Sequence, residues 1–200
     1  HEPPEMATAV EVAGNWHLSA ASVRGPSHIR SGDPRQDAFG FAFTGETVVA
    51  CVADGLGSEA RSHIGSMIAS THVSRDIATA IEGMSADELA AALAEGAEGA
   101  LGDVVRGAVS SAAREAEALM QMVPGPGFST TLVGVVAGPD GGFFFHVGDG
   151  AALAYETAPF GEAESASELP VEDAEPETAP TEAEAVTTET PLGEIEAGRD

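Results

Sequence analysis

The alternation of apolar and polar residues predicts three strands in the first quarter of the chain. The pattern over 16–23 predicts an initial strand, and the Gly-, Pro- and Ser-rich stretch 24–35 predicts a loop. Every second residue is Phe within 38–43, and a Val-rich run follows at 47–53. Because the intervening 44–46 is a tight turn, we predict an antiparallel hairpin with 47–53 as a buried central strand.

Helical periodicity follows the hairpin. Apolar residues recur on one face of 59–82, which predicts a first long helix. Ser85 and Glu88 have the spacing of a capping box, which begins a second helix. Glycines weaken this second helix, so we expect a break or close packing near Gly96, Gly99, Gly102 and Gly107. The Pro-Gly repeat at 124–127 ends it.

The pattern returns to strands near the middle of the chain. Apolar residues predict strands at 129–137 and 143–147, joined by a Gly- and Pro-rich turn at 138–142. A further short strand is predicted at 151–155. Hairpins on either side of two helices indicate an α+β fold and not a repeating βαβ series.

The composition narrows the range of partners. The 200 residues have a formal net charge of −25 and include no lysine, which argues against binding to nucleic acid or to an anionic membrane surface. Cys51 is the single cysteine, so an internal disulfide is excluded and a reducing, cytoplasmic compartment is favoured. It lies within an apolar run, and we interpret it as a core residue. We also find no stretch as long as a membrane span.

We divide the chain into a flexible lead-in at 1–14, a folded domain at 15–156 and an acidic disordered tail at 157–200. From Thr157 onward Glu, Ala, Pro and Thr dominate and the apolar period is lost. Such a segment cannot bury enough surface to offset its ordering entropy. The tail is either a solvated spacer or a segment that binds a basic partner.

Three aspartates lie at predicted strand ends. Asp54 ends the central strand and is followed by Gly55-Leu-Gly57, while Asp149 lies between two glycines. Pairing across the hairpin brings Asp37 beside Asp54. Hard carboxylate oxygens suit Mg²⁺ or Mn²⁺, and two such ions can clamp a displacement at phosphorus. The alternative is that each aspartate only hydrogen-bonds its own turn, as we interpret Asp140.

A second enzyme hypothesis arises from the glycines after the central strand. Residues 55–60 fit the G-x-G-x-x-A pattern of dinucleotide-binding turns. In that case, however, Asp54 would face the pyrophosphate, and the later elements do not continue a βαβ series. We therefore favour the metal hypothesis.

Four segments with fitting order and spacing then carry a family resemblance: Gln36-Asp-Ala-Phe39, Val52-Ala-Asp-Gly-Leu-Gly-Ser58, Phe128-Ser-Thr-Thr-Leu132 and His146-Val-Gly-Asp-Gly150. They resemble the motifs of the metal-dependent PP2C-type Ser/Thr protein phosphatases, and Gly25-Pro-Ser-His28 is similar to the first motif of a bacterial branch. The resemblance implies a four-layer α-β-β-α sandwich of antiparallel sheets. It also implies two Mn²⁺ or Mg²⁺ ions and a third that binds more weakly, with hydrolysis of phosphoserine and phosphothreonine in phosphoproteins by metal-activated water.

The resemblance also implies roles for individual residues. Asp54 would bridge two metal ions and help to activate water, the Gly55 carbonyl would bind one of these ions, and Asp149 would help to hold a third. Where this chain has Gln36-Asp37, the family usually has Glu-Asp, and that Glu is a ligand. Either the Gln36 amide oxygen substitutes, or Asp37 takes over, or that ion binds weakly.

The chain departs from the family near the phosphate. The family's phosphate-binding Arg would precede Gln36 by four residues, where Gly32 stands. The residues that would replace it, unless they are ordinary loop residues, are His28, Arg30 and Arg35. Leu56 stands where some members have His, which removes one candidate general acid. We interpret 129–131 as small residues that let a strand pack closely.

The C-terminal part departs further. The family needs two later aspartates, one of them in a Ser-Asp-Gly segment, and Asp173 and Asp200 lack that context. We therefore expect a PP2C-like fold that is incomplete at its C-terminus, with weak or no activity. The competing hypothesis is a non-catalytic PP2C-like scaffold or interaction protein with an acidic tail. An unfinished sheet would also favour self-association.

Overall fold

The computed structural model describes residues 5–122 and 127–154, and within these ranges the fold is α+β. It contains two antiparallel sheets and four α-helices, consistent with the predicted sandwich. In chain order the elements are β1 (Met6–Ala13), β2 (Trp16–Val23), α1 (Pro26–Ser31), β3 (Ala38–Thr44), β4 (Thr47–Ala53), α2 (Ser62–Glu82), α3 (Ala86–Glu95), a 3-10 turn (Gly96–Glu98), α4 (Ala100–Met122), β5 (Leu132–Gly138) and β6 (Gly141–Val147).

The smaller sheet is an antiparallel hairpin of β1 and β2. Each strand has eight residues, and the two strands pair along their whole length. The prediction of β2 is confirmed, but that of a flexible lead-in at 1–14 is wrong for 6–13. Gly14, with φ of 57°, closes the turn that folds this stretch back on β2. Its side chains are largely exposed, so strand pairing and not burial stabilises it. The Trp16 indole N–H donates to the Glu46 carbonyl (2.6 Å) and ties this hairpin to the β3–β4 turn.

Helix α1 occupies part of 24–35, where we predicted a loop. Pro26 lies in its first turn, where the missing N–H costs nothing and the fixed φ favours the helix. Gly32 ends it in the left-handed region (φ 84°), and its N–H donates to the His28 carbonyl (2.9 Å). These start and stop signals are present in the sequence.

The larger sheet has the strand order β3-β4-β5-β6. Ala38 pairs with Ala53 and Thr44 with Thr47, so the predicted hairpin is confirmed. Strand β4 pairs with β3 on one side and β5 on the other, which confirms it as a central strand. The hairpin therefore carries the residues that follow Ala53 to the same sheet end as those that precede Ala38.

Two later predictions need correction. Strand β5 begins at Leu132 and not at 129, because residues 129–131 leave the sheet ladder and contact the turn after β4. Residues 151–154 are not a strand, since the chain leaves β6 at Gly148 with φ of 93°. Tyr155 and the predicted tail at 157–200 lie outside the described residues.

The core lies between the larger sheet and helices α2 and α4. Val49 and Cys51 of β4, Ile77 of α2, Leu101 of α4 and Val136 of β5 are at most 2% exposed. Full burial of each large aliphatic side chain contributes about 1.5–3 kcal/mol. Burial also raises the pKa of the Cys51 thiol to about 12, in keeping with its interpretation as a core residue.

Helix α2 approaches the sheet closely. A Cβ on Gly40 of β3 would lie 2.4 Å from the Ser70 carbonyl oxygen of α2, so only glycine allows this contact. The helix begins at Ser62 and not at 59, after a set of turns that follows Gly57. Its first turns therefore reach the sheet end where the β3–β4 hairpin opens.

The helices after α2 confirm two predictions made from local sequence patterns, the capping box and the glycine break. Glu88 N–H donates to Ser85 Oγ (3.3 Å), and the Glu88 carboxylate accepts from Ser85 N–H (2.8 Å), which completes the predicted capping box. The expected glycine break occurs at the 3-10 turn between Gly96 and Gly99. No helix in the described part of the chain has the length and hydropathy needed to cross a membrane.

Candidate metal centre

The β3–β4 register brings two carboxyl groups together. Because Ala38 pairs with Ala53, the next residues outward are Asp37 and Asp54, and their side chains lie within hydrogen-bonding reach. Partial burial raises the pKa of Asp37, and so do the hydrogen bond with Asp54 and repulsion from it, while His28 and Arg35 lower it. Two carboxyl groups this close favour either a shared proton or a bound cation.

The backbone of Asp54 is held by a segment 77 residues away. Thr131 N–H and Thr130 Oγ1 both donate to the Asp54 carbonyl, each at 2.9 Å, and Asp54 N–H donates to Thr131 Oγ1 (3.2 Å). We predicted that 129–131 is structural because its residues are small. The structural role instead comes from hydrogen bonds to the turn that bears Asp54.

Gly55 continues this contact as an isolated antiparallel bridge with Thr130. The hydrogen bonds of this bridge are accepted by the carbonyls of Asp54 and Ser129. The Gly55 carbonyl, for which we predicted a metal role, accepts neither of them. A Cβ on Gly55 would lie 2.7 Å from the Gln36 carbonyl oxygen and 2.9 Å from Ser62 Oγ. Glycine is therefore required for the turn to lie this close to α2.

Asp149 reaches the same region from the end of β6. It lines a cleft of about 290 Å³ together with Asp54, Gly55, Leu56, Gly57, Ser129, Thr130 and Thr131. A second cleft, of about 320 Å³, is lined by Asp37 and Asp54 and by the apolar Phe39, Val52 and Val133, among others. Asp54 lines both clefts, so it is the shared carboxylate of the region.

The carboxylates nevertheless do not form a three-ligand group. Among residues 5–122 and 127–154, no set of three or more His, Cys, Asp or Glu side chains has the spacing of a metal site. Asp54 contacts Asp37 and shares a cleft with Asp149, which is a chain of two pairs. The donor type fits a hard divalent cation. Two carboxylates are gathered at one point, and water, a backbone carbonyl or phosphate would supply the other ligands of such an ion.

Comparison with known families decides the identity of the fold. The chain matches the family described as protein phosphatase 2C over residues 24–196. The chain belongs to the protein phosphatase 2C family. No curated protein and no solved structure matches it. The family match runs beyond residue 156, and our domain boundary there stays a prediction.

The topology of this phosphatase 2C member also argues against the dinucleotide-binding hypothesis. Both sheets are antiparallel, and α2 is followed by α3 and α4 and not by a parallel strand. The glycines at 55 and 57 therefore serve the turn that carries Asp54.

Gln36 occupies the position at which phosphatase 2C proteins usually have Glu, and its side chain is only 4% exposed. Its Nε2 donates to the Glu59 carbonyl at 3.5 Å, but its Oε1 is buried and has no hydrogen-bond partner among the described residues. A buried acceptor left unpaired costs about 1–3 kcal/mol. A cation or water beside Oε1 would remove this cost, which favours the amide-oxygen alternative for Gln36.

The cationic residues considered for phosphate binding lie in different settings. Arg35 is buried, and its guanidinium donates to Ser22 Oγ (2.6 Å) and to the Asp37 carbonyl, so its contacts join β2 to the start of β3. These contacts favour a structural role. Arg30 is exposed on α1, and His28 is half-buried and close enough to lower the Asp37 pKa. Phosphate binding by any of the three stays a prediction.

Sequence reasoning missed Glu59, which lies between the Asp54 turn and α2. Its carboxylate accepts from Ser129 N–H (2.7 Å) and from Ser129 Oγ (3.0 Å). Its partner is 70 residues away, and a single Glu after a glycine turn gives no local indication of such a contact. The nearest signal in the sequence is the family resemblance. Glu59 directly follows the segment 52–58 and Ser129 lies within the segment 128–132, and both segments resemble family motifs.

Proposed function

We propose that this phosphatase 2C member hydrolyses phosphate monoesters with the help of Mn²⁺ or Mg²⁺, and that its substrates are phosphoserine and phosphothreonine in proteins. The observation that supports this is the Asp37–Asp54 pair at the end of the β3–β4 hairpin, beside a cleft that Asp149 also lines. Family membership supports the reaction type.

The residues take the following roles in this proposal. Asp54 is the shared carboxylate, held in place by Thr130 and Thr131, and Asp37 is its immediate partner. The Gly55 carbonyl and Asp149 complete the set on the other side of Asp54. When bound, divalent cations lower the pKa of water and neutralise charge on the phosphate.

The Gln36 amide oxygen is an additional ligand in this proposal. Its burial without a hydrogen-bond partner among the described residues supports that role. As a neutral donor it contributes less charge than the Glu of most family members, so we expect the corresponding ion to bind more weakly.

The charge of the chain bears on its substrates. With a formal net charge of −25, the protein repels anionic phosphoproteins and attracts basic ones. We therefore propose phosphorylation sites flanked by Arg or Lys as the preferred substrates. Cleavage of such a phosphopeptide should fall with rising salt more steeply than cleavage of a neutral phosphopeptide.

The second candidate is a non-catalytic member of the phosphatase 2C family that acts as a scaffold. The absence of a three-carboxylate group from the described residues favours it. For the same reason we expect turnover by the catalytic alternative to be weak.

Hydrolysis of p-nitrophenyl phosphate in excess Mn²⁺, with calorimetric titration of the metal, separates the candidates. The catalytic proposal expects metal binding and slow turnover that Asp54→Asn abolishes. Equal turnover by wild type and Asp54→Asn would attribute the activity to a contaminant and refute it. No Mn²⁺ binding at millimolar concentration would favour the scaffold.

A further inference from the structure

Glu59 is a charged residue that the proposed reaction does not use, yet it contacts several parts of the candidate centre. Its N–H donates to the Leu56 carbonyl (2.9 Å), and its own carbonyl accepts from Ser62 N–H (3.2 Å). It therefore lies at the junction of the Asp54 turn with α2. The same carbonyl also accepts from the Gln36 amide, at 3.5 Å.

The Glu59 carboxylate holds Ser129, a residue that lines the cleft. It accepts both hydrogen bonds that Ser129 can donate, from N–H and from Oγ. Ser129 in turn accepts, through its carbonyl, from Leu56 N–H (2.9 Å). These contacts form a closed ring that runs from the Asp54 turn through Glu59 to residue 129 and back.

This ring extends to both aspartates that line the cleft. Beyond Ser129, Thr130 and Thr131 hold the Asp54 backbone. Thr131 also packs against the loop that carries Asp149, since a Cβ on Gly148 would lie 2.9 Å from Thr131 Cγ2. The segment 129–131 thus lies between Asp54 and the Asp149 loop.

Ser129 is the residue of segment 129–131 that most needs the Glu59 carboxylate as an acceptor. The segment lies outside the ladder of β5, its one bridge within the described residues is Gly55–Thr130, and its hydrogen bonds to the Asp54 backbone come from Thr130 and Thr131 and not from Ser129. Ser129 is exposed, so water competes for its N–H unless a strong acceptor is present. A carboxylate is such an acceptor, because hydrogen bonds to charged groups are shorter and stronger than those between neutral groups.

We propose that Glu59 is a positioning residue that holds segment 129–131 against the Asp54 turn and thereby sets the separation of Asp54 and Asp149. Its effect on metal binding rests on the proposed function, whereas its effect on the segment does not. Loss of a group that is hydrogen-bonded to a metal ligand lowers affinity by about 10–100-fold, and the Glu59 carboxylate acts one contact further out, so we expect the lower end of this range.

The test combines a metal-free readout with a metal readout. The N–H groups of Leu56 and Thr131 join the Asp54 turn to segment 129–131. Their amide hydrogen exchange is measured in the metal-free wild type, Glu59→Ala, Glu59→Gln and Ser129→Ala. We expect exchange about tenfold faster in Glu59→Ala, with smaller increases in Glu59→Gln and Ser129→Ala, because each of those retains one hydrogen bond. Glu82→Ala, an exposed carboxylate at the other end of α2, is the control and should leave both amides unchanged.

Calorimetric titration of the same proteins with Mn²⁺ gives the second readout. The expected Kd rises about tenfold in Glu59→Ala, partly recovers in Glu59→Gln and stays at the wild-type value in Glu82→Ala. Unchanged exchange in Glu59→Ala would overturn the proposal, and so would faster exchange with an unchanged Kd. If wild type binds no Mn²⁺, the proposed function fails by itself, and the exchange of Leu56 and Thr131 alone decides whether Glu59 positions the segment.

Discussion

Thr131 both donates to and accepts from the backbone of Asp54. Its N–H donates to the Asp54 carbonyl at 2.9 Å, and its Oγ1 accepts from Asp54 N–H at 3.2 Å. A threonine outside any strand thus replaces the ladder partner that Asp54 lacks one residue beyond the end of β4. Asp54 is the shared carboxylate of the proposed metal site. The orientation of Asp54 therefore depends on Thr131, a residue that contributes no charge to that site.

The first prediction concerns this side chain. Thr131→Val preserves shape but removes Oγ1, so Asp54 N–H loses its acceptor. We expect a loss of about 1 kcal/mol in the free energy of unfolding and weaker Mn²⁺ binding, measured by denaturant unfolding and calorimetry. Thr71→Val is the matched control, because Thr71 Oγ1 only donates to the Met67 carbonyl (2.6 Å) on an exposed helix face. Equal effects of the two changes would contradict a special role for Thr131.

The second prediction concerns the repulsion between Asp37 and Asp54. Asp37→Asn removes one of two adjacent like charges, so the metal-free protein should gain about 0.2–1 kcal/mol in stability. The same change should abolish most of the stabilisation by Mn²⁺, which at 100 times Kd amounts to about 2.7 kcal/mol for one site. Chemical unfolding with and without Mn²⁺ measures both quantities.

The control for Asp37→Asn is Asp140→Asn, in the exposed turn between β5 and β6. It should change neither the metal-free stability nor the response to Mn²⁺. If Asp37→Asn destabilises the metal-free protein, the two carboxyl groups stabilise each other through a shared proton, and the argument from repulsion fails.

The position of Asp37 beside Asp54 was predictable because the hairpin is local. A tight turn at 45–46 fixes the register of two strands whose apolar alternation is plain in the sequence, so the residues at their far ends must meet. The capping box at Ser85 and the glycine break at Gly96 are likewise local signals, and both are confirmed.

Other parts of the fold depend on information that local patterns lack. The Glu59–Ser129 contact joins residues 70 apart, and neither residue has a periodicity that marks it. Strand β1 has no buried residue, and its apolar residues, interrupted by Thr8 and Glu11, do not alternate strictly with polar ones. Among the described residues its pairing with β2 is what stabilises it. Helix α1 differs, because its Pro26 and Gly32 signals were present but lay within a stretch rich in loop-forming residues.

The third prediction concerns pH. The hydrogen bond from Ser85 N–H lowers the pKa of Glu88 most, and the hydrogen bond from the Ser85 hydroxyl lowers it further. A carboxyl group whose pKa is lower in the folded state contributes stability above its unfolded pKa of about 4.3 and loses it as pH falls through the folded pKa. The stability difference between wild type and Glu88→Gln should therefore be constant at neutral pH and vanish in acid. Asp87→Asn lies in the same first turn and controls for the helix dipole.

The fourth prediction tests how closely α2 packs on the larger sheet. Gly40→Ala would place a Cβ 2.4 Å from the Ser70 carbonyl oxygen, so the helix must move away from β3. We expect a loss of about 1–3 kcal/mol, typical of overpacking. The control is Gly107→Ala in α4, where a Cβ meets nothing within 4 Å and the gain in helix propensity should stabilise the protein by about 1 kcal/mol. Because α2 begins beside Gly55 and Gln36, Gly40→Ala should also weaken Mn²⁺ binding, whereas Gly107→Ala should not. A Gly40→Ala protein as stable as wild type would show that α2 does not depend on this contact.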